Sequence, residues 1–192
     1  ENGLMDLVRS KTVVEYNITN DYFVGEADFK EKFDLKEKGS IHWCACFNTY
    51  NPVIKSFCNT IPTSEGGTHQ TGFLNAIAKG FKSYVELIGD KKFSAINKDD
   101  VLEILSSSIS VFVEQPQFVG QTKDKLSNLE VQKKVEGIIK DRFENWLAND
   151  KSRTLLLIEN LRMRAEERIK TRQKRETLRK TPLKRLMLPG KL

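Results

Sequence analysis

The residues best suited to bind a ligand lie in a segment that reads Gly120-Gln121-Thr122-Lys123. Glycine lets a backbone approach a ligand closely, and the Gln121 amide can orient a polar group. Lys123 offers a compact positive charge to an anion such as a phosphate. A lysine that follows a strand is more often a solvated surface residue, so the pattern alone leaves both interpretations open.

A second segment, residues 60–69, contains a proline and the pair Gly66-Gly67, which exclude regular secondary structure. Glu65 or His69 could act there as a catalytic acid or base. The alternative, which the composition favours, is a rigid turn into the helix that follows.

A metal site is a further possibility, because His42, Cys44 and Cys46 alternate along a predicted strand and would share one face. Zinc needs a fourth ligand, and the sequence offers only the isolated residues Cys58 and His69. We therefore predict no metal site and interpret the cysteines as small buried residues of a core strand. An odd number of cysteines without a secretory signal indicates free thiols in a reducing compartment.

A complete catalytic site is hard to assemble from this sequence. It has two histidines, no His-x-x-x-His pair, no Gly-x-Ser-x-Gly and no phosphate-binding Gly-x-x-x-x-Gly-Lys-Ser/Thr motif. No stretch reaches the length of about 18 apolar residues that a membrane helix needs. The first residue is not Met, and we expect a piece of a longer protein that is inactive by itself and neither secreted nor membrane-spanning.

Charge is distributed unevenly over the 192 residues, whose formal net charge is +6. Residues 161–192 hold 12 Lys and Arg against 3 Asp and Glu, whereas residues 1–160 hold 20 against 23. A basic extension could contact nucleic acid or an acidic partner, and a merely solvated helix is the alternative. The candidate DNA-binding residues are Arg172, Lys174, Arg175, Arg179 and Lys180.

Hydrophobic periodicity predicts the elements that would position these residues. Helices are expected at 3–10, 73–88 and 101–105, strands at 22–29, 39–47, 53–59 and 107–115, with 39–47 and 53–59 forming a hairpin. A capping box at 127–130 would open a fourth helix, and a fifth would carry an apolar stripe that ends at Ile169. The predicted class is α+β, a mixed sheet with helices on one face and a projecting basic C-terminal helix.

Several segments together resemble the transducer domain of the B subunits of bacterial type IIA DNA topoisomerases. The spacing favours the topoisomerase IV branch over the closely related gyrase branch. The matching segments are 58–69 (CNTIPTSEGGTH), 109–113 (ISVFV), 116–126 (PQFVGQTKDKL), 164–168 (RAEER) and the ending 179–192 (RKTPLKRLMLPGKL).

The resemblance implies a fold like the second domain of ribosomal protein S5, with a left-handed βαβ crossover from 53–59 through 73–88 to 107–115. Lys123 matches the family's lysine that reaches a neighbouring ATPase domain and contacts the ATP γ-phosphate. Gln121 matches its glutamine partner.

The implied division is residues 1–20 as the end of a GHKL ATPase domain or a linker, 21–160 as the transducer, and 161–192 as a basic helix leading to a TOPRIM domain. No cofactor is expected on this chain, while the parent protein would use ATP and Mg²⁺. Its implied partners are duplex DNA, a second B subunit and an A subunit that carries the cleavage tyrosine, in the bacterial cytoplasm at the nucleoid.

Two other classes of function stay open. The chain could be a stand-alone nucleic-acid-binding domain of S5-like fold that uses its basic C-terminal helix. A coiled-coil partner protein is disfavoured, because the apolar pattern ends at Ile169.

Overall fold

The computed structural model describes residues 3–33, 38–89 and 93–180, without the side chains of 179 and 180. Its helices are α1 (Gly3–Lys11), α2 (Thr68–Ile88), α3 (Lys98–Leu102), α4 (Leu129–Asn149) and α5 (Lys151–Lys180). Its strands are β1 (Phe23–Asp28), β2 (Ser40–Phe47), β3 (Ile54–Cys58), β4 (Ile61–Pro62) and β5 (Leu105–Phe112). The predicted α+β class is confirmed.

The strands form one mixed sheet in the order β1-β2-β5-β3-β4. β3 and β5 are parallel neighbours joined through α2, and the other three pairings are antiparallel. A parallel pair requires such a crossover connection, so the predicted βαβ unit is present. Its left-handed sense stays a prediction.

The predicted hairpin between 39–47 and 53–59 is wrong, because β5 lies between β2 and β3. The connection after β2 is bonded to the start of β5: the Asn48 amide donates to the Ile104 carbonyl at 2.8 Å. The Ser106 hydroxyl accepts from the Val53 amide at 3.0 Å and from the Asn48 side chain at 2.7 Å. The short connection between β2 and β3 therefore passes the end of β5, which lies between these two strands in the sheet.

Helices cover both faces of the sheet, so the prediction of helices on one face is also wrong. Ile41, Trp43, Ala45 and Phe47 of β2 belong to the main core with residues of α2 and α4. The alternate residues of β2 face α1, where Cys44 and Cys46 pack with Val8 and with the partly buried Leu4, Met5 and Tyr22. A nine-residue helix is enough to cover this part of the second face.

Two glycines let α2 and α4 approach closely. A Cβ on Gly72 would lie 2.5 Å from the Gln132 carbonyl oxygen, and one on Gly80 would lie 2.6 Å from the Phe143 ring. The ring of Phe143 in turn contacts Phe47 of the sheet at a centroid distance of 6.1 Å. The core is thus built around aromatic rings between this helix pair and the sheet.

The predicted capping box at 127–130 is wrong. α4 begins at Leu129, and the side chain of its N-cap residue Asn128 makes no capping hydrogen bond to α4. Instead Asn128 accepts from the Gln117 amide at 2.7 Å and donates to the Gln115 carbonyl at 3.1 Å. The start of α4 therefore holds the irregular segment that precedes it.

The last helix, α5, is buried along one stripe and then leaves the core. Leu157, Ile158, Leu161 and Ala165 are buried, as the apolar pattern predicts. From residue 170 to residue 178 every side chain is exposed.

Candidate functional site

The candidate site combines parts of the two segments predicted to be irregular. For 60–69 that prediction is wrong at both ends, because Ile61–Pro62 form β4 and α2 begins at Thr68. The glycine-pair loop is defined as residues 63–67, before α2, and the lysine loop as residues 113–128, between β5 and α4. Main-chain hydrogen bonds join them: the Glu65 amide donates to the Asp124 carbonyl at 2.9 Å, the Thr68 amide to the Leu126 carbonyl at 3.0 Å, and the Leu126 amide to the Gly66 carbonyl at 3.2 Å. The two segments form one unit, a contact that the sequence did not predict.

Gly67 makes this close approach possible. Its φ of 135° lies in a region that residues with a Cβ rarely adopt. A Cβ there would lie 2.4 Å from the Leu126 carbonyl oxygen and 2.5 Å from the Leu126 nitrogen. The glycine pair therefore serves a backbone contact with the lysine loop.

The base of the lysine loop is closed by further hydrogen bonds. The Ser127 amide donates to the Gln117 carbonyl at 2.8 Å, and Phe118 forms an antiparallel bridge with Leu126. Leu126 is buried in the main core. Together with the Asn128 contacts, these bonds hold both stems of the loop.

The tip of the lysine loop, residues 119–123, is exposed. Gly120 and Lys123 have left-handed backbone conformations, with φ values of 79° and 59°. Gln121 and Lys123 make no hydrogen bond or ion pair with the residues that the structure describes. Their polar groups are therefore accessible to a ligand.

Asp124 links the tip to the glycine-pair loop. Its carboxylate accepts hydrogen bonds from the Thr122 side chain and from the Ser64 hydroxyl, the latter at 2.7 Å. These bonds favour the charged form, and they lower the pKa of Asp124 below its ordinary value. Asp124 is therefore ionised at neutral pH while it contacts both loops.

The glycine-pair loop also rests on a buried polar network. His69 is fully buried, and its Nε2 lies 3.2 Å from the Thr63 hydroxyl. That hydroxyl lies 2.7 Å from the Ser56 hydroxyl, which donates to the Gln70 side chain at 2.9 Å. Burial lowers the pKa of His69 to about 4, so the ring is neutral near pH 7. Its position supports the rigid-turn interpretation over a catalytic role.

The described residues include no group of three or more His, Cys, Asp or Glu side chains placed to hold a metal ion. Cys44 and Cys46 share one face, as their alternation predicts, but that face is covered by α1. Burial raises the pKa of Cys44 to about 12 and that of Cys58 to about 11. The thiols stay protonated, whereas metals bind the thiolate.

The basic residues of α5 divide into two sets. Arg164 and Arg168 bind acidic residues of the α3 region, Glu103 at 3.0 Å and Asp100 at 2.9 Å. They attach the helix to the fold.

Beyond them lie the candidate DNA-binding residues. Arg172 pairs with Glu176 at 3.0 Å, whereas Lys174 and Arg175 are exposed and have no partner within the described part of the chain. The side chains of Arg179 and Lys180 lie outside the described residues, as do residues 181–192. Across the described ranges, no helix combines the length and apolar character needed to cross a bilayer.

Comparisons with known proteins found relatives that match the whole chain. Residues 3–177 match the family described as DNA gyrase B. The chain is 43% identical over 191 residues to the B subunit of DNA topoisomerase 4 from Bartonella bacilliformis and 39% identical over 196 residues to that from Caulobacter vibrioides. It spans 27% and 28% of these relatives, and all of the present chain is matched in both.

Solved structures give the same relationship. The topoisomerase IV ATP-binding domain of Francisella tularensis matches 76% of this chain and 40% of its own, with 31% identity and a TM-score of 0.65. The 43K ATPase domain of Thermus thermophilus gyrase B matches 92% of this chain and 46% of its own, with 25% identity and a TM-score of 0.76. The chain therefore belongs to the DNA gyrase B family, and B subunits of topoisomerase IV are among its relatives.

Proposed function

We propose that this chain is the energy-transducing part of the B subunit of a type II DNA topoisomerase. In this role Lys123 contacts the γ-phosphate of ATP bound in a neighbouring ATPase domain, and Gln121 assists it. One observation carries the proposal: Lys123 lies at an exposed tip, without a partner among the described residues, on a loop whose base is firmly bonded.

The physical basis is a difference between two nucleotide states. Lys123 can bind a terminal phosphate in the triphosphate state and loses that anion after hydrolysis. Since the lysine loop is bonded to the starts of α2 and α4, a change at its tip alters how these helices are held relative to the ATPase domain.

The solved relatives support this assignment, because both are named for ATP binding or ATP hydrolysis and the present chain covers less than half of each. We propose the boundaries predicted from sequence: residues 1–20 end or follow a GHKL ATPase domain, 21–160 form an S5-like transducer with a left-handed crossover, and 161–192 lead to a TOPRIM domain. The parent protein would use ATP and Mg²⁺ in the bacterial cytoplasm and belong to the topoisomerase IV branch.

The proposed partners of the parent are a second B subunit, an A subunit with the cleavage tyrosine, and duplex DNA. Lys174 and Arg175 favour a DNA contact at the end of α5, since both are exposed cations without a partner in the described ranges. We expect charge reversal of both residues to weaken duplex binding by the parent and to flatten its dependence on salt. Tight binding by the 192-residue chain alone would instead favour a stand-alone nucleic-acid-binding domain.

The central test is ATP hydrolysis by the parent protein. Lys123→Ala should lower turnover at least about a hundredfold, equal to about 2.7 kcal/mol of transition-state stabilisation. Lys125→Ala removes the same charge from the same exposed loop and should leave turnover within about twofold of the wild type. Full turnover in Lys123→Ala would refute the role of this lysine.

A further inference from the structure

We propose that Asp124 is the positioning residue for Lys123, acting together with Ser64 of the glycine-pair loop. The inference rests on the proposed function and adds the means by which the lysine is kept in place. Asp124 follows Lys123 directly, and its side chain bonds to the other loop.

The backbone of Lys123 needs such support. A residue with a Cβ is less stable in the left-handed region by roughly 1 to 2 kcal/mol, and Lys123 has a φ of 59°. Asp124, the next residue, is bonded twice to the glycine-pair loop: its carbonyl accepts from the Glu65 amide at 2.9 Å and its carboxylate from the Ser64 hydroxyl at 2.7 Å. These bonds hold the residue that follows Lys123 against the glycine-pair loop.

The same bonds explain how an aspartate is tolerated beside a residue that would bind phosphate. An anion at this position would repel a triphosphate and compete for the lysine. The Ser64 hydroxyl holds Oδ1 of Asp124 on the side of the glycine-pair loop, at 2.7 Å. The negative charge is thereby held at the glycine-pair loop, while Gln121 and Lys123 stay exposed at the tip.

Asp124 also connects the tip mechanically to α2. The Glu65 amide and the Ser64 hydroxyl bond to Asp124, and Gly67, the residue before α2, bridges to Leu126. A displacement of Lys123 would therefore be transmitted to the N-terminal end of α2, a 21-residue helix that packs against α4. Through these bonds, a contact between Lys123 and the γ-phosphate would affect the position of α2.

The test is ATP turnover by the complete parent enzyme carrying Asp124→Ala or Asp124→Asn. We expect Asp124→Ala to lower kcat about tenfold, because a displaced lysine loses its alignment with the phosphate. Asp124→Asn keeps an oxygen that can accept from Ser64, and it should recover turnover to within about threefold of the wild type. The matched control is Glu114→Ala, which removes an exposed acid of the same loop that pairs with Lys38 and should leave kcat unchanged.

A second background separates positioning from a general effect on the fold. In Lys123→Ala enzyme, adding Asp124→Ala should change kcat by less than about twofold, because a positioning residue acts only through the lysine. An equal loss in both backgrounds would overturn the inference, as would normal turnover of Asp124→Ala beside an impaired Lys123→Ala; both outcomes leave the proposed function standing. Normal turnover of Lys123→Ala itself would remove both.

Discussion

Of the two arginines that attach α5 to the α3 region, Arg168 has the more buried partner, because Asp100 is buried whereas Glu103, the partner of Arg164, is exposed. Nε and Nη2 of Arg168 donate to the two carboxylate oxygens of Asp100 at 2.9 and 3.1 Å, and Nη2 also donates to the Ala95 carbonyl at 2.8 Å. Asp100 is 1% exposed, so Arg168→Ala leaves a buried carboxylate without its cation. Because Arg168 is itself one-third exposed, the loss falls below that of a fully buried pair, and we expect the free energy of unfolding to drop by about 2 to 3 kcal/mol.

Equilibrium urea unfolding of the 192-residue chain measures this loss. The matched control is Arg164→Ala, one turn earlier on the same helix, whose partner Glu103 is 59% exposed. This variant should lose no more than about 1 kcal/mol. Adding Asp100→Asn to Arg168→Ala should restore about 1 kcal/mol, because the buried charge is then removed. Equal losses for Arg164→Ala and Arg168→Ala, or no recovery in the double variant, would refute the reasoning.

Two further predictions concern the glycine-pair loop. Gly67→Ala should lower the free energy of unfolding by about 3 kcal/mol or more, because its Cβ would overlap the Leu126 backbone. Gly89 is also at positive φ but has no atom within 4 Å of the position that a Cβ would occupy, so Gly89→Ala should lower the free energy of unfolding by about 1 kcal/mol. Similar thermal midpoints for the two variants would contradict the steric argument. The pKa of His69 is about 4 in the folded chain against 6.5 for a free ring, so its contribution is present above pH 6.5 and is lost as pH falls toward 4. The free energy of unfolding in urea should therefore fall more steeply between pH 7 and pH 4.5 for the wild type than for His69→Gln, and parallel curves would show that His69 is not the group that titrates.

Local patterns in the sequence predicted most elements but not their partners. The alternating pattern of β2 and the apolar spacing of α2 each lie within a single segment, and the structure contains both the predicted strand and the predicted helix. The hairpin failed because the turn signals at 48–52 describe only the nearest possible pairing. They carry no information on β5, which begins more than fifty residues later and offers β2 eight paired positions. Pairing with β5 places β2 inside the sheet, where α2 and α4 cover one face of it and α1 covers the other.

The second face of the sheet was missed for a related reason. The even positions of β2 include His42, Cys44 and Cys46, which raised the question of a metal site rather than of a packing surface. α1 is too short and too polar on average to reveal that it covers them. The buried thiols were nevertheless predicted correctly as core residues.

For the candidate site, the residue types indicated which side chains could bind a ligand. They did not indicate which backbone contacts position those side chains. Gln121 and Lys123 were predicted as candidates, and they lie at an exposed tip. The joining of the two loops depends on main-chain hydrogen bonds, which no residue type specifies. The one available signal was Gly67, since a glycine pair directly before a helix can mark a close backbone approach.

The central position of β5 also bears on how the chain is made. β2 must wait for β5 before its inner edge is paired, and β3 must do the same for its parallel partner. During synthesis, roughly the first hundred residues therefore present two open strand edges, which are the sites at which nascent chains aggregate. We expect refolding to be slow for a domain of this size, because the sheet is completed only by distant contacts. Refolding that is already complete within the dead time of a stopped-flow experiment would contradict this. Because β5 is made after β1, β2 and β3, the order in which the strands are synthesised matters as much as their final pairing.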